Sequence, residues 1–181
     1  AGVENFAMCL TGGPLTVALA TIHVPLRDVP RLLRTDEIIR VGRLLADFLQ
    51  RRLGRTPRIA VAGLNPHAGE NGEFGDEEQT IITPAIEQLA RAGHFTGPHA
   101  PDTVFHRAAA GEFDGVLCMY HDQGLIPLKL LAFDTGVNVT LGLPSPRTSP
   151  DHGTAFDLAG TGRANHQSML AAINLAAEMV R

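Results

Sequence analysis

Apolar positions fall into short unbroken runs separated by polar, glycine-rich joins. Leu15 to Ile22, Arg58 to Leu64, Gly115 to Met119 and Val137 to Gly142 each read as a buried strand. Between them the period lengthens. Ile38, Ile39, Val41, Leu44, Leu45, Phe48, Leu49 and Leu53 recur at helical spacing behind Thr35, which offers an N-cap, and Gly54 with Pro57 closes that helix. Asp76 with Gln79 has the form of a capping box for a helix running to about Ala92, with Pro84 marking a kink or a restart capped by Thr83. Val104 to Ala110, Leu125 to Leu131 and His166 to Val180 complete the predicted helices, and residues 1–10 are weakly patterned. Strands alternating with helices predict an α/β layered domain with a mainly parallel sheet. Leu143 to Asn165, rich in Gly, Pro, Ser and Asp, reads as one long loop, and structureless loops of about 20 residues inside compact domains are usually functional.

Three of the predicted strands run straight into a histidine. His23 follows the first, His67 lies in Asn65-Pro66-His67-Ala68-Gly69-Glu70 after the second, and His121 opens His121-Asp122-Gln123-Gly124 after the third. Ligands in open α/β sheets sit outside the carboxyl ends of the strands, so three such histidines point to one shared site. Neutral imidazole supplies the lone pairs that zinc, cobalt or manganese takes, and three protein ligands leave coordination positions open, as catalytic sites do. A single histidine at a strand end more often satisfies a local hydrogen bond; it is the agreement of three that carries weight. Lys129 and Arg147 offer charge for a phosphate or carboxylate, Asn138 lies within a strand, and Asp102, Asp122 and Asp151 are candidate acids, bases or partners of a ligand histidine.

The totals narrow the class. The chain has 181 residues, 44% of them hydrophobic, with no apolar run near the roughly 20 residues of a membrane span. Net charge is −4, and the one basic cluster, Arg51-Arg52-Leu53-Gly54-Arg55, reads as an exposed helix end; nucleic acid is not the expected partner. Cys9 and Cys118 are too few and too far apart for a disulfide framework, which fits a reducing cytoplasm. Neither G-x-G-x-x-G nor G-x-x-x-x-G-K-[ST] occurs. The chain begins Ala1-Gly2-Val3 without an initiator methionine, from which upstream sequence is expected to be missing.

Four motifs together carry a resemblance: Gly63-Leu64-Asn65-Pro66-His67-Ala68-Gly69-Glu70, Met119-Tyr120-His121-Asp122-Gln123-Gly124, Asn138-Val139-Thr140-Leu141-Gly142-Leu143-Pro144, and Arg147-Thr148-Ser149-Pro150-Asp151-His152-Gly153-Thr154-Ala155. In order and spacing they resemble the 4-hydroxythreonine-4-phosphate dehydrogenase family of pyridoxal phosphate biosynthesis, from about Pro14 onward. The resemblance implies that His23, His67 and His121 bind a divalent metal (zinc, magnesium, cobalt or manganese), and that Lys129, Asn138 and Arg147 contact a small phosphorylated substrate. It implies a homodimer whose site is completed across the interface, with Asp122 and Lys129 as the catalytic residues to test first. The stretch from His152 to Asn165 is similar to the cofactor loop of the isocitrate and isopropylmalate dehydrogenases, whose fold the family shares; His152, Gly153, Thr154, Ala155 and Asn165 are then the candidates for holding NAD or NADP. The likeness covers the family's carboxyl-terminal half, leaving out part of the cofactor lobe and a His-Thr pair that contacts substrate. A dehydrogenase of phosphothreonate or phosphoerythronate would carry the same motifs. So would an inactive metal- or phosphate-binding dimerisation module, whereas an ordinary isocitrate-type enzyme binds its metal with aspartates.

Overall fold

The computed structural model of the chain describes residues 2–90 and 93–180. Seven strands form one sheet in the order β4-β3-β5-β2-β1-β6-β7, where β1 is Ala7–Gly12, β2 Leu15–Leu19, β3 Arg58–Ala62, β4 His94–His99, β5 Gly115–Cys118, β6 Val137–Leu141 and β7 Thr148–Pro150. The pairings β3–β4, β3–β5 and β2–β5 are parallel, while β1–β2, β1–β6 and β6–β7 are antiparallel. Hence β2 to β6 all run one way, and β1 and β7 run against them.

Helices cover both faces. α2 (Thr35–Leu53), α3 (Thr83–Leu89) and α6 (Gln167–Met179) pack on one side, where Ile38, Leu45, Leu89 and Leu175 meet Ala18, Ile59, Val61, Leu117 and Val139. α4 (Pro101–Ala109) and α5 (His121–Ala132) pack on the other, where Val104, Ala108, Leu125 and Leu128 meet Val17, Leu19, Ala60, Val116 and Cys118. Alternate strand residues feed the two cores, as strands buried on both faces require. A short helix, α1 (Val29–Leu32), leads into α2.

Several local expectations change. The weakly patterned stretch at the start of the chain supplies, from Ala7 onward, most of β1, which sits in the sheet's interior between β2 and β6. Thr35 does not cap α2: Arg34 holds the extended cap position, and the Thr35 hydroxyl donates to the Ile81 carbonyl at 3.0 Å. Gly54 does end that helix, at φ 67°, in the left-handed conformation glycine favours. The expected capping box is also absent, because the Asp76 carbonyl, not its carboxylate, receives the N–H groups of Gln79 and Thr80. The chain instead enters a π-helical turn, Glu78–Ile82, after which α3 restarts with Pro84 in its first turn but with no side-chain cap from Thr83. The expected end of that helix at Ala92 lies outside the described residues. The long loop from Leu143 contains β7 and a single 3-10 turn at Phe156–Leu158. His121 to Gly124, expected as loop, form the first turn of α5. Cys9 and Cys118 are both free and buried, and burial pushes the Cys9 thiol up to about 12 and the Cys118 thiol higher still.

Candidate functional site

Because β3, β5 and β2 are parallel neighbours, their carboxyl ends lie side by side, and each expected histidine leaves the sheet there. The ladder beyond β2 continues through Ala20 and Thr21, whose N–H groups donate to the Cys118 and Met119 carbonyls at 2.8 and 3.1 Å. This clamps the His23 segment to the strand that delivers His121. The two imidazoles face each other with ring centroids 5.3 Å apart and an interplanar angle of 46°.

Those two histidines open into a cleft of about 490 Å³ whose wall also contains Lys129 and Leu125 from α5, Asn138 and Thr140 from β6, and Arg147, Asp151 and His152 from the turn around β7. β6 and β7 reach the cleft only because β1, running antiparallel, carries the sheet past β2. Position along α5 matters equally, since His121 and Lys129 are eight residues apart, about two helical turns, and therefore share a face. The Lys129 ammonium lies 3.1 Å from the Asp151 carboxylate, and the Arg147 guanidinium donates to the Thr140 hydroxyl at 3.3 Å.

Asp122 turns outward, and its carboxylate accepts from His121 Nδ1 at 2.7 Å. In a neutral ring that contact puts the proton on Nδ1 and the lone pair on Nε2, which is the arrangement in which carboxylates support metal-ligating histidines. A divalent ion therefore fits the His23–His121 pair chemically, as two imidazole donors with one oriented by a carboxylate.

His67 does not join them within one chain, and no group of three metal-ligating side chains assembles among the described residues. It sits on Pro66–Gly72, a tight turn in which His67, Ala68, Gly69, Glu70 and Asn71 all have positive φ. The imidazole is exposed, edge-on to Phe74 with centroids 6.0 Å apart, and its Nδ1 is 3.3 Å from the Glu70 carboxylate. Of the expected cofactor residues only His152 lines the cleft. Gly153, Thr154 and Ala155 lie on the exposed stretch beyond it, and Asn165 donates to the Asp134 carboxylate at 2.9 Å. Asp102 lies in the first turn of α4 and takes no part in the cleft. Asp151 is the residue that pattern alone left undistinguished, since its place beside Lys129 depends on β7 pairing with β6.

A mixed sheet with helices on both faces, and a polar cleft at the carboxyl ends of its parallel strands, defines an α/β protein, and the solved structures it resembles are dehydrogenases. The solved structure of 4-hydroxythreonine-4-phosphate dehydrogenase from Klebsiella pneumoniae superposes with a TM-score of 0.88 at 49% identity, covering 98% of this chain and 55% of that one. A terephthalate 1,2-cis-dihydrodiol dehydrogenase from Burkholderia xenovorans LB400 matches at 0.79 and 32% identity, over 97% of this chain and 56% of its own. In sequence, the 4-hydroxythreonine-4-phosphate dehydrogenase of Desulfosudis oleivorans is 59% identical over 97% of this chain and 53% of that protein, and that of Geobacter metallireducens is 58% identical over 100% and 54%. The family model of the pyridoxal phosphate biosynthetic protein PdxA matches residues 1–176, and the chain belongs to that family. It spans about half the length of the curated relatives it matches.

Proposed function

We propose that this chain forms the metal- and phosphate-binding part of an NAD- or NADP-dependent dehydrogenase that oxidises 4-hydroxythreonine 4-phosphate. The product is a 3-oxo acid that loses carbon dioxide to give 3-amino-2-oxopropyl phosphate. The observation that carries this reading is the single cleft that gathers His23, His121, Lys129, Asn138 and Arg147, five residues spread over 125 positions of sequence. Membership of the family supports the substrate class.

In this reading His23 and His121 hold a divalent metal, and His67 of a second copy supplies the third imidazole. Two features favour the second copy: His67 stands exposed and apart from the pair, and α5 presents an unpartnered apolar face. On that face Ile126, Leu130 and Phe133 are 65%, 83% and 72% exposed, at the spacing of one helical stripe beside the cleft. When bound, the metal is a Lewis acid that lowers the pKa of the substrate hydroxyl and favours negative charge on its oxygen.

The chain's own residues do the rest. Arg147 and Asn138 hold the phosphate, which gives binding energy remote from the reacting carbon. Asp122 is engaged by His121 and acts as a positioning residue. Lys129 Nζ, having passed a proton to the Asp151 carboxylate 3.1 Å away, is then the group in the cleft that takes the hydroxyl proton. The stretch from His152 to Asn165 holds the nucleotide near the hydride-donating carbon, with His152 at the cleft wall.

The test is nicotinamide reduction by the protein supplied with 4-hydroxythreonine 4-phosphate and zinc, magnesium, cobalt or manganese. Metal-dependent turnover is expected, abolished by His121→Ala. Arg147→Ala should raise KM by about 30-fold, corresponding to about 2 kcal/mol for a lost charge-assisted contact, with metal affinity unchanged. Phosphothreonate or phosphoerythronate turned over faster would reassign the substrate. Binding of metal and phosphate without any response to NAD(P) would make the chain a binding module.

A further inference from the structure

Two buried polar side chains stand outside the cleft yet reach the strand ends that form it. Gln123 is 6% exposed and Glu78 is 3% exposed. Gln123 lies in the first turn of α5, two residues after His121. Its Oε1 accepts the Met119 N–H at 2.7 Å, and its Nε2 donates to the Gly63 carbonyl at 2.7 Å. Met119 directly follows β5, and Gly63 directly follows β3. One amide therefore joins the two strand ends from which His121 and His67 depart.

Glu78 holds the far side of the same join. Its Oε1 accepts the N–H groups of Leu64 and Asn65 at 2.7 and 2.8 Å, and its Oε2 accepts Asn65 Nδ2 at 3.0 Å. The His67 turn is pressed onto this carboxylate: a Cβ at Gly69 would stand 2.6 Å from Glu78 Oε2, and one at Gly63 would stand 2.9 Å from the Ala68 Cα. Non-glycine residues at positive φ persist only where their surroundings over-determine them, and His67, Ala68, Glu70 and Asn71 are four such residues in one turn. Thr21, two residues before His23, completes the set by donating from its hydroxyl to the Met119 carbonyl at 2.7 Å.

We propose that Gln123, together with Glu78, is a positioning brace that fixes the His67 turn relative to the His121 strand end before any metal arrives. The geometry stands by itself; its purpose rests on the metal reading given above. Ligands already in place lose less conformational freedom on binding, so a braced turn binds metal more tightly than a loose one. Where His67 completes the site of a second copy, the brace also ties each chain's own site to the one it completes. Both ends of the Gln123 amide are used. Glutamate would keep the acceptor for Met119 but set an oxygen against the Gly63 carbonyl, and methionine would fill the volume while offering neither bond.

The experiment compares the wild-type protein with Gln123→Met, Gln123→Glu and Glu78→Gln by three readouts: cooperative thermal unfolding, amide hydrogen exchange in peptides spanning residues 64–74 and 119–123, and cobalt titration followed in the visible spectrum. In Gln123→Met, exchange across 64–74 should rise at least tenfold below the melting transition. Cobalt affinity should fall by about 10–100-fold, the range for residues that orient metal ligands, with a changed ligand-field spectrum. Exchange and spectrum both at wild-type values would overturn the brace. A wild-type protein that binds no cobalt would remove the metal reading, while the exchange data would still decide the brace. Should Gln123→Met fail to fold, Glu78→Gln, which preserves shape and one acceptor oxygen, decides by the same readouts.

Discussion

At the scale of single residues, the site and the ion pairs of Asp114 occupy opposite ends of the sheet. Asp114 precedes β5 at its amino end, where its carboxylate accepts from Arg55 at 2.7 and 2.9 Å and from the Arg58 backbone N–H at 2.7 Å. The Arg55 guanidinium, with Arg58 adding to it against an opposing effect of burial, holds the Asp114 carboxyl far below the usual carboxylate range. A group whose folded pKa is depressed stabilises fully above its unfolded value, about 3.9, and that stability is lost as pH falls toward the folded value. Asp114→Asn should therefore cost about 1 kcal/mol at neutral pH, the arginines being half exposed and screened. The difference from wild type should be flat above about pH 5 and shrink below about pH 4, as read by denaturant titration across pH. Cobalt binding should not change, since Asp114 is remote from the cleft.

The elements show why some of the structure was readable from sequence and some was not. Leu15 to Ile22, Gly115 to Met119 and α2 announce themselves because burial on one or both faces dictates their periodicity. The strand-end histidines are legible with them, since parallel strands bring their carboxyl ends together. β1 is hidden because its apolar run, Ala7 to Leu10, is only four residues long before Thr11 and Gly12, and its interior place depends on pairing with β6, far away in sequence. The Thr35 and Asp76 caps failed for a related reason: the Thr35 hydroxyl is taken by Ile81, and the start of the π-helical turn is organised by Glu78, a tertiary demand that local propensity does not express. Gly124 illustrates close approach. A Cβ there would meet Cys118 Sγ at 3.0 Å and Leu19 Cδ2 and Val17 Cγ2 at 3.2 Å, so α5 lies directly on β5 and β2. Gly124→Ala should push the first turn of α5 off the sheet, lowering stability by about 1–3 kcal/mol. Because that turn carries His121, cobalt affinity should fall in the same variant, and thermal melts run beside the titration will separate the two effects.

For the whole molecule, one fact governs how a metal site can form: the chain brings together two of the three histidines expected as ligands, His23 and His121, and holds His67 apart. Sequence could place all three at one edge of the sheet, but it could not tell a ligand for the chain's own cleft from one offered to a neighbour. In the proposed reading, a second copy covers the exposed stripe of Ile126, Leu130 and Phe133 on α5 and delivers its His67. The measurement that tests this most directly is metal stoichiometry in a mixture of two inactive variants, His121→Ala and His67→Ala, each purified, then unfolded and refolded together. If sites are shared, neither variant alone binds cobalt at high affinity. A dimer containing one of each then regains one complete site, with His23 and His121 from one chain and His67 from the other. Shared sites predict that recovery, in proportion to the mixed dimers formed. A mixture that binds no more cobalt than its components, or a His67→Ala protein that binds it as tightly as wild type, would contradict them.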